Sequence, residues 1–238
     1  MLKAEKNPIL RPGSKQGKSM IKACIFDLDG VIVDTAKYHF IAWRRLANEL
    51  GFDFTEEENE QLKGVSRMGS LELILEWGGV QLSEAEKQAW ADKKNNWYRE
   101  YILQMQPDEV LEGVLPFFDE LHEKGILLGL GSASKNAGTI IEQVGLSGRF
   151  ASIVDGLRAT KSKPDPQVFL LGAAELGCHP AECIVFEDAA KGIEAALNGG
   201  FFAVGIGSPE NLGHAHLVIP NFIGQTLDSL LAGMNITV

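Results

Sequence analysis

Two regimes of apolar spacing divide the chain. From 36 to 107 the apolar positions recur every three to four residues, the helical period. Phe40, Trp43, Ala47 and Leu50 share one face of a helix that Asp34 or Thr35 can cap and Gly51 ends. A second helix is predicted over 56–62. Ser66 can cap a third, with Leu71, Ile74 and Leu75 on its face and Gly78-Gly79 at its end. Ser83 followed three residues later by Glu86 is a capping-box pattern, and it opens a long polar helix to 104.

Outside that stretch, short apolar runs alternate with helical ones. Strands are predicted at 23–26, 126–131, 152–154, 183–186, 202–206 and 217–219. Helices are predicted at 116–124, 137–144, 166–176 and 190–198. Such alternation implies an α/β fold, a Rossmann-like parallel-sheet core with helices on both faces. The all-helical stretch reads as a small cap domain inserted after the first strand. The expected division is a core of 20–35 and 108–238, a cap of 36–107, and a flexible extension over 1–19.

Composition narrows the function classes. A chain of 238 residues, 45% hydrophobic, can bury a sizeable core. Its net charge of −10 argues against nucleic acid as a partner, because phosphate backbones need basic surface. No apolar run approaches the roughly 18 residues of a membrane span. Three cysteines without framework spacing suit a reducing compartment, so a cytoplasmic protein is expected. Cys178, His179 and Cys183 do not match zinc spacing.

The chemistry gathers where the predicted strands end. The first strand breaks into Asp27-Leu28-Asp29-Gly30, two carboxylates that are costly to desolvate unless a hard cation such as Mg²⁺ compensates. One aspartate could serve as a nucleophile and the other could carry protons. The second strand is followed by Ser132-Ala133-Ser134-Lys135-Asn136, the third by Lys163 between Ser162 and Pro164, and the fourth by Glu187-Asp188. Taken singly, Ser132 is more often a structural cap, Lys163 a solvated lysine and Glu187-Asp188 a polar loop. Together, at the carboxyl ends of four parallel strands, they supply the positioning and charge neutralisation that phosphoryl transfer needs.

These residues, in this order, resemble the haloacid dehalogenase-like (HAD) superfamily of phosphotransferases, over 21–225 of the chain. Within it, the cap stretches Tyr38-His39-Phe40-x-Ala42-Trp43 and 59–67 are most similar to mutases that interconvert β-D-glucose 1-phosphate and D-glucose 6-phosphate. The resemblance implies an HAD-like fold and an aspartyl-phosphate on Asp27. It implies β-glucose 1,6-bisphosphate as intermediate and activator. Asp29 would be the general acid/base. Ser132 and Lys163 would hold the transferring phosphoryl group, and Asp27, Asp29, Glu187 and Asp188 would form the Mg²⁺ site. Arg67 would grip the other phosphate, with Ala133, Ser134, Lys135 and Asn136 nearby. Lys63, Gly64, Val65, Ser66, His39 and Trp43 would face the sugar or help position Asp29, although packing is the commoner role for Trp43. Ala189 and the loop 155–160 depart from the mutases' pattern. The alternative is a sugar-phosphate phosphatase built on the same core. Small-molecule sugar phosphates are the expected partners, with neither nucleic acid nor membrane, and a monomer is expected.

Overall fold

The computed structural model describes residues 21–62 and 65–236. Strand β1 (Ala23–Phe26) is buried along its whole length. The chain then leaves the sheet through α1 (Ala36–Glu49), α2 (Glu56–Gln61), α3 (Arg67–Trp77) and α4 (Glu84–Ile102). It returns by α5 (Val114–Glu123) and β2 (Leu127–Gly131), then α6 (Ala137–Gln143), β3 (Ser152–Val154) and α7 (Gln167–Glu175). The remaining elements are β4 (Cys183–Glu187), α8 (Ala190–Asn198), β5 (Phe202–Ile206), α9 (Pro209–Leu212), β6 (Leu217–Ile219) and α10 (Leu227–Gly233). Among the described residues no helix is long and apolar enough to cross a membrane. The expected extension over 1–19 lies outside the described residues.

The six strands are all parallel, in the order β3-β2-β1-β4-β5-β6. The chain therefore winds outward from β1 in one direction, then restarts beside β1 and winds in the other. Loops diverge at such a reversal and leave a crevice at the carboxyl edge. Register places the chemistry there. Phe26 lies opposite Leu130 of β2 and Phe186 of β4, so Asp27, Gly131 and Glu187 emerge at one level. Beneath them Phe26 stacks on Phe186 with ring centroids 4.7 Å apart, and Phe117, Phe118 and Phe222 crowd the same cluster. Buried aromatic packing of this kind makes a stiff floor.

Helices α1–α4 bury their own cluster, including Trp43, Leu46, Phe54, Leu71, Ile74 and Trp97. The predicted capping box at Ser83 forms: Glu86 N donates to Ser83 Oγ at 3.4 Å, and Ser83 N donates to the Glu86 carboxylate at 2.8 Å. The segments leading out to these helices and back are joined by a short antiparallel bridge between Val33 and Val110. Leu111 N also donates to Ile32 O at 2.9 Å. Helix α10 was not among the predicted elements. Thr226 caps it and Leu227, Leu230 and Leu231 are buried on its face.

Candidate active site

A cavity of about 550 Å³ lies between the carboxyl edge of the sheet and helices α1, α3 and α4. Asp27, Asp29, Lys163, Glu187 and Asp188 line it from the sheet side. His39, Trp43, Val65, Ser66 and Arg67 line it from the helical side. Ala133, Ser134, Lys135 and Asn136 form a third wall. The sequence-predicted residues are thus brought together from both layers. Lys63 and Gly64 lie outside the described residues.

Asp27 follows directly on β1 and is almost fully buried. Its Oδ1 accepts from Lys163 Nζ at 2.5 Å and its Oδ2 from Asp29 N at 3.0 Å. Lys163 also donates to Glu187 Oε1 and, at 3.2 Å, to Gly131 O. Burial works against the ammonium's charge, but Asp27 and Glu187 outweigh it and hold the Lys163 pKa above its ordinary value. The lysine is a fixed positive charge beside Asp27.

Glu187 reaches the same point from the end of β4. Its Oε1 takes Lys163 and its Oε2 takes Ala189 N at 2.8 Å, so both oxygens are engaged within the protein. It anchors the lysine and stands beside Asp27 and Asp188 at the wall of the cavity. Among the described residues no group of three or more His, Cys, Asp or Glu is drawn together as a metal cluster. Asp188 is placed differently. A Cβ on Gly30 would meet Asp188 Oδ2 at 2.2 Å, so this carboxylate packs against the turn that carries Asp27 and Asp29. With φ at +74°, Gly30 meets both a conformational and a steric demand. Carboxylate and carbonyl oxygens at this turn are the hard donors that Mg²⁺ prefers, and they fit that ion.

Ser132 follows directly on β2. It is buried below the cavity wall, and its Oγ accepts from Ser134 N at 3.1 Å, shaping the loop from beneath. Asn136 reaches the other way, its Nδ2 donating to Asn95 Oδ1 of α4 at 3.0 Å.

Asp29 sits where the layers meet, and its Oδ1 accepts from the Thr35 hydroxyl. Burial, then the Asp27 charge, push its carboxyl up to about 7 against the pull of Lys163 and Lys94. A group with that affinity can both give and take a proton near neutral pH.

Three residues that sequence reasoning missed complete the helical wall: Lys94, Asn95 and Tyr98, all on α4. Lys94 is 2% exposed and its Nζ lies 2.9 Å from His39 Nδ1. Lysine has only donors, so the histidine accepts as a neutral ring. The ammonium also lies 4.2 Å from the Trp43 ring centroid and 4.8 Å from that of Tyr98. Burial, then Arg67, push the Lys94 pKa well down. Burial, then Lys94, do the same to His39. Trp43 is therefore packing and cation platform at once. Buried Lys94 and half-buried Arg67 thus bring two basic side chains to the helical side of the cavity. The Tyr98 hydroxyl is buried without a hydrogen-bond partner, which costs about 1–3 kcal/mol.

Comparison with known proteins adds to this geometry. A model of the haloacid dehalogenase-like hydrolases matches residues 21–200. The chain is 42% identical over 212 residues to a Bacillus subtilis β-phosphoglucomutase, covering 88% of this chain and 94% of that one. It is 30% identical to a Thermotoga maritima phosphorylated carbohydrates phosphatase, covering 76% of this chain and 82% of that one. The crystal structure of a Clostridium difficile β-phosphoglucomutase superposes with a TM-score of 0.86 at 41% identity, covering 91% of this chain and 98% of that one.

Proposed function

The chain belongs to the haloacid dehalogenase-like hydrolase family, and we propose that within it the chain acts as a β-phosphoglucomutase. It interconverts β-D-glucose 1-phosphate and D-glucose 6-phosphate through β-glucose 1,6-bisphosphate. The carrying observation is the cavity with basic side chains on both walls: Lys163 on the sheet side, Arg67 and Lys94 on the helical side. A bisphosphate needs two such grips.

In this reading Asp27 attacks phosphorus, an O–P bond forms on its carboxylate, and the bond to the sugar oxygen breaks. Asp29 gives that oxygen its proton, and takes a proton from the accepting hydroxyl in the reverse transfer. Lys163 balances charge on the transferring oxygens, and Glu187 and Gly131 O fix its direction. Ser134, Lys135 and Asn136 help hold the substrate. Arg67 grips the phosphate that stays put, its planar fork suiting bidentate contact. Val65 and Ser66 face the sugar, a role also proposed for Lys63 and Gly64. Asp27, the main-chain carbonyl of Asp29, Glu187 and Asp188 would hold Mg²⁺, which when bound supplies charge neutralisation at the phosphoryl oxygens. The helical layer keeps water from the aspartyl-phosphate. We place the enzyme in the cytoplasm as a monomer.

The test supplies β-glucose 1-phosphate, Mg²⁺ and a trace of glucose 1,6-bisphosphate, and follows glucose 6-phosphate and inorganic phosphate together. The α anomer is the control. Glucose 6-phosphate from the β anomer alone, without phosphate release, is expected. Dominant phosphate release would replace the mutase with the phosphatase alternative, which the Thermotoga likeness favours. Chelation with EDTA is expected to stop turnover and added Mg²⁺ to restore it; full activity after chelation would refute the metal assignment.

A further inference from the structure

The loop 155–160 follows β3, the edge strand of the sheet, and contributes Gly156, Leu157, Ala159 and Thr160 to the cavity wall. The proposed reaction leaves it without a role. Within it Arg158 turns back along β3. Its Nη1 donates to Ile153 O at 2.8 Å and to Glu175 Oε2 at 3.1 Å, and its Nη2 donates to Glu175 Oε1. Glu175 is the last residue of α7, and it also accepts from the buried Ser152 hydroxyl at 2.7 Å. Arg158 first, then Ser152, hold the Glu175 carboxyl below its usual range. An isolated surface ion pair contributes little, but a two-pronged guanidinium–carboxylate contact within a network is the exception. Strand, loop and helix are clasped together there.

On its other side the loop bears on 133–136. Gly156 N donates to Ser134 O at 3.2 Å. A Cβ on Gly156 would fall 2.2 Å from Ala133 O and 3.2 Å from Lys135 Cγ, so the two backbones touch and the Lys135 stem lies beside the glycine. Both ends of the loop are tied. Asp155 Oδ1 accepts from Leu157 N at 3.0 Å and from Arg158 N at 3.2 Å. Gln167 Oε1, at the start of α7, accepts from Lys161 N at 2.8 Å and from the Thr160 hydroxyl at 3.2 Å. A loop fixed at both ends and pressed on its neighbour passes its own position on to that neighbour.

We propose that Arg158 and Glu175 are positioning residues for the substrate-holding loop 133–136, acting through Gly156. The clasp draws the loop 155–160 onto the end of β3, and Gly156 then sets where Ser134, Lys135 and Asn136 stand in the cavity. Arg158 is outside the cavity lining and its guanidinium is engaged by Glu175, so it acts on the substrate only through the loop. A shift of about 1 Å in a gripping group is enough to weaken its contact. Asp27, Asp29 and Lys163 stand on other segments, so the effect falls on binding and leaves the chemical step alone. The inference rests on the reading of Ser134, Lys135 and Asn136 as groups that hold the substrate.

The experiment compares Arg158→Met, Glu175→Gln, their double variant and Lys135→Ala with the full wild-type chain. Arg149→Met is the control: it breaks another exposed ion pair, Arg149 Nη1 to Asp119 Oδ1 at 2.7 Å, and lies outside the cavity lining. β-Glucose 1-phosphate is varied at fixed glucose 1,6-bisphosphate, and turnover is counted as glucose 6-phosphate plus inorganic phosphate. Arg158→Met is expected to raise KM roughly fivefold with kcat within about twofold of wild type. The double variant should raise KM no further than the worse single variant, as two members of one clasp require. Arg149→Met should leave KM unchanged. A KM for Arg158→Met within about twofold of wild type, a fall in kcat without a rise in KM, or an equal rise in Arg149→Met would each overturn the clasp. If Lys135→Ala raises KM and Arg158→Met does not, the clasp falls and the reading of 133–136 stands. If neither raises it, that reading falls and takes the clasp with it. Wild-type turnover ending in inorganic phosphate would instead overturn the mutase reading, and the ratio of variant to wild-type KM would still judge Arg158.

Discussion

Asp27 and Asp29 are two residues apart and chemically alike, yet their surroundings separate their work. Asp27 is tied to a permanent cation; Asp29 is tied to a hydroxyl and lies at the joint between layers. Asp27→Asn is expected to abolish turnover, since an amide is no nucleophile, and Asp29→Asn to lose roughly 10²–10⁴-fold. A loss under about tenfold for Asp29→Asn would contradict general acid/base catalysis. His39 carries a separate prediction. Its folded pKa lies below the ordinary 6.5 because of burial and then Lys94. Above 6.5 the ring is neutral in both the folded and unfolded chain. As pH falls below 6.5 the unfolded chain takes up the proton and the folded one does not, so stability is lost. His39→Asn keeps an acceptor for Lys94 and cannot titrate. The fall in Tm between pH 6.5 and about 5 should be shallower in this variant than in wild type. Equal slopes would contradict the assignment. Lys94 shows why part of the site was hidden in the sequence. A lysine in a polar helix reads as solvated, and only the packing of α4 on α1 reveals that it is buried against His39, Trp43 and Tyr98.

At the scale of the element, strand ends and turns were legible and register was not. The run to Phe26 and the abrupt Asp-Leu-Asp-Gly locate a strand and its exit from spacing alone. That Glu187 would face Lys163 follows instead from β4 lying beside β1, which no local pattern states. Helix α10 carried a usable signal, Thr226 before Leu227, Leu230 and Leu231, but it is short and lies beyond the last predicted strand. The turn after β4 shows how tightly an element constrains the site. A Cβ on Gly192 would fall 1.9 Å from the Glu187 carboxyl carbon, so the first turn of α8 is the wall behind that carboxylate. Gly192→Ala should displace Glu187, destabilise the fold by about 1–3 kcal/mol through overpacking and so lower Tm, and reduce kcat as Lys163 loses its anchor. Unchanged melting and turnover would show that the wall yields.

For the whole molecule, the arrangement is a division of labour between two layers. In the proposed reading the sheet holds the groups that react, and the helices hold groups that grip what is not reacting. Arg67→Ala removes a grip and leaves Asp27, Lys163 and Asp188 in place. It should raise KM for glucose 6-phosphate roughly 10–100-fold, as loss of a charge-assisted contact implies. If KM stays within about twofold of wild type, the second phosphate is held elsewhere. Fold class was legible here because alternation of strands and helices is a property of the whole chain. The cavity was not, because it exists only between layers.

The small bridge between Val33 and Val110 has a consequence of a different kind. It stitches the outgoing and returning segments side by side, so the four helices hang from the sheet by a single doubled stem. An insert attached in that way behaves as a cassette. It can be lengthened, shortened or exchanged without re-routing any strand, because both cut points lie at one place on the rim. Descent could then remodel what the enzyme accepts while the six strands, and the aspartates they display, stay as they are.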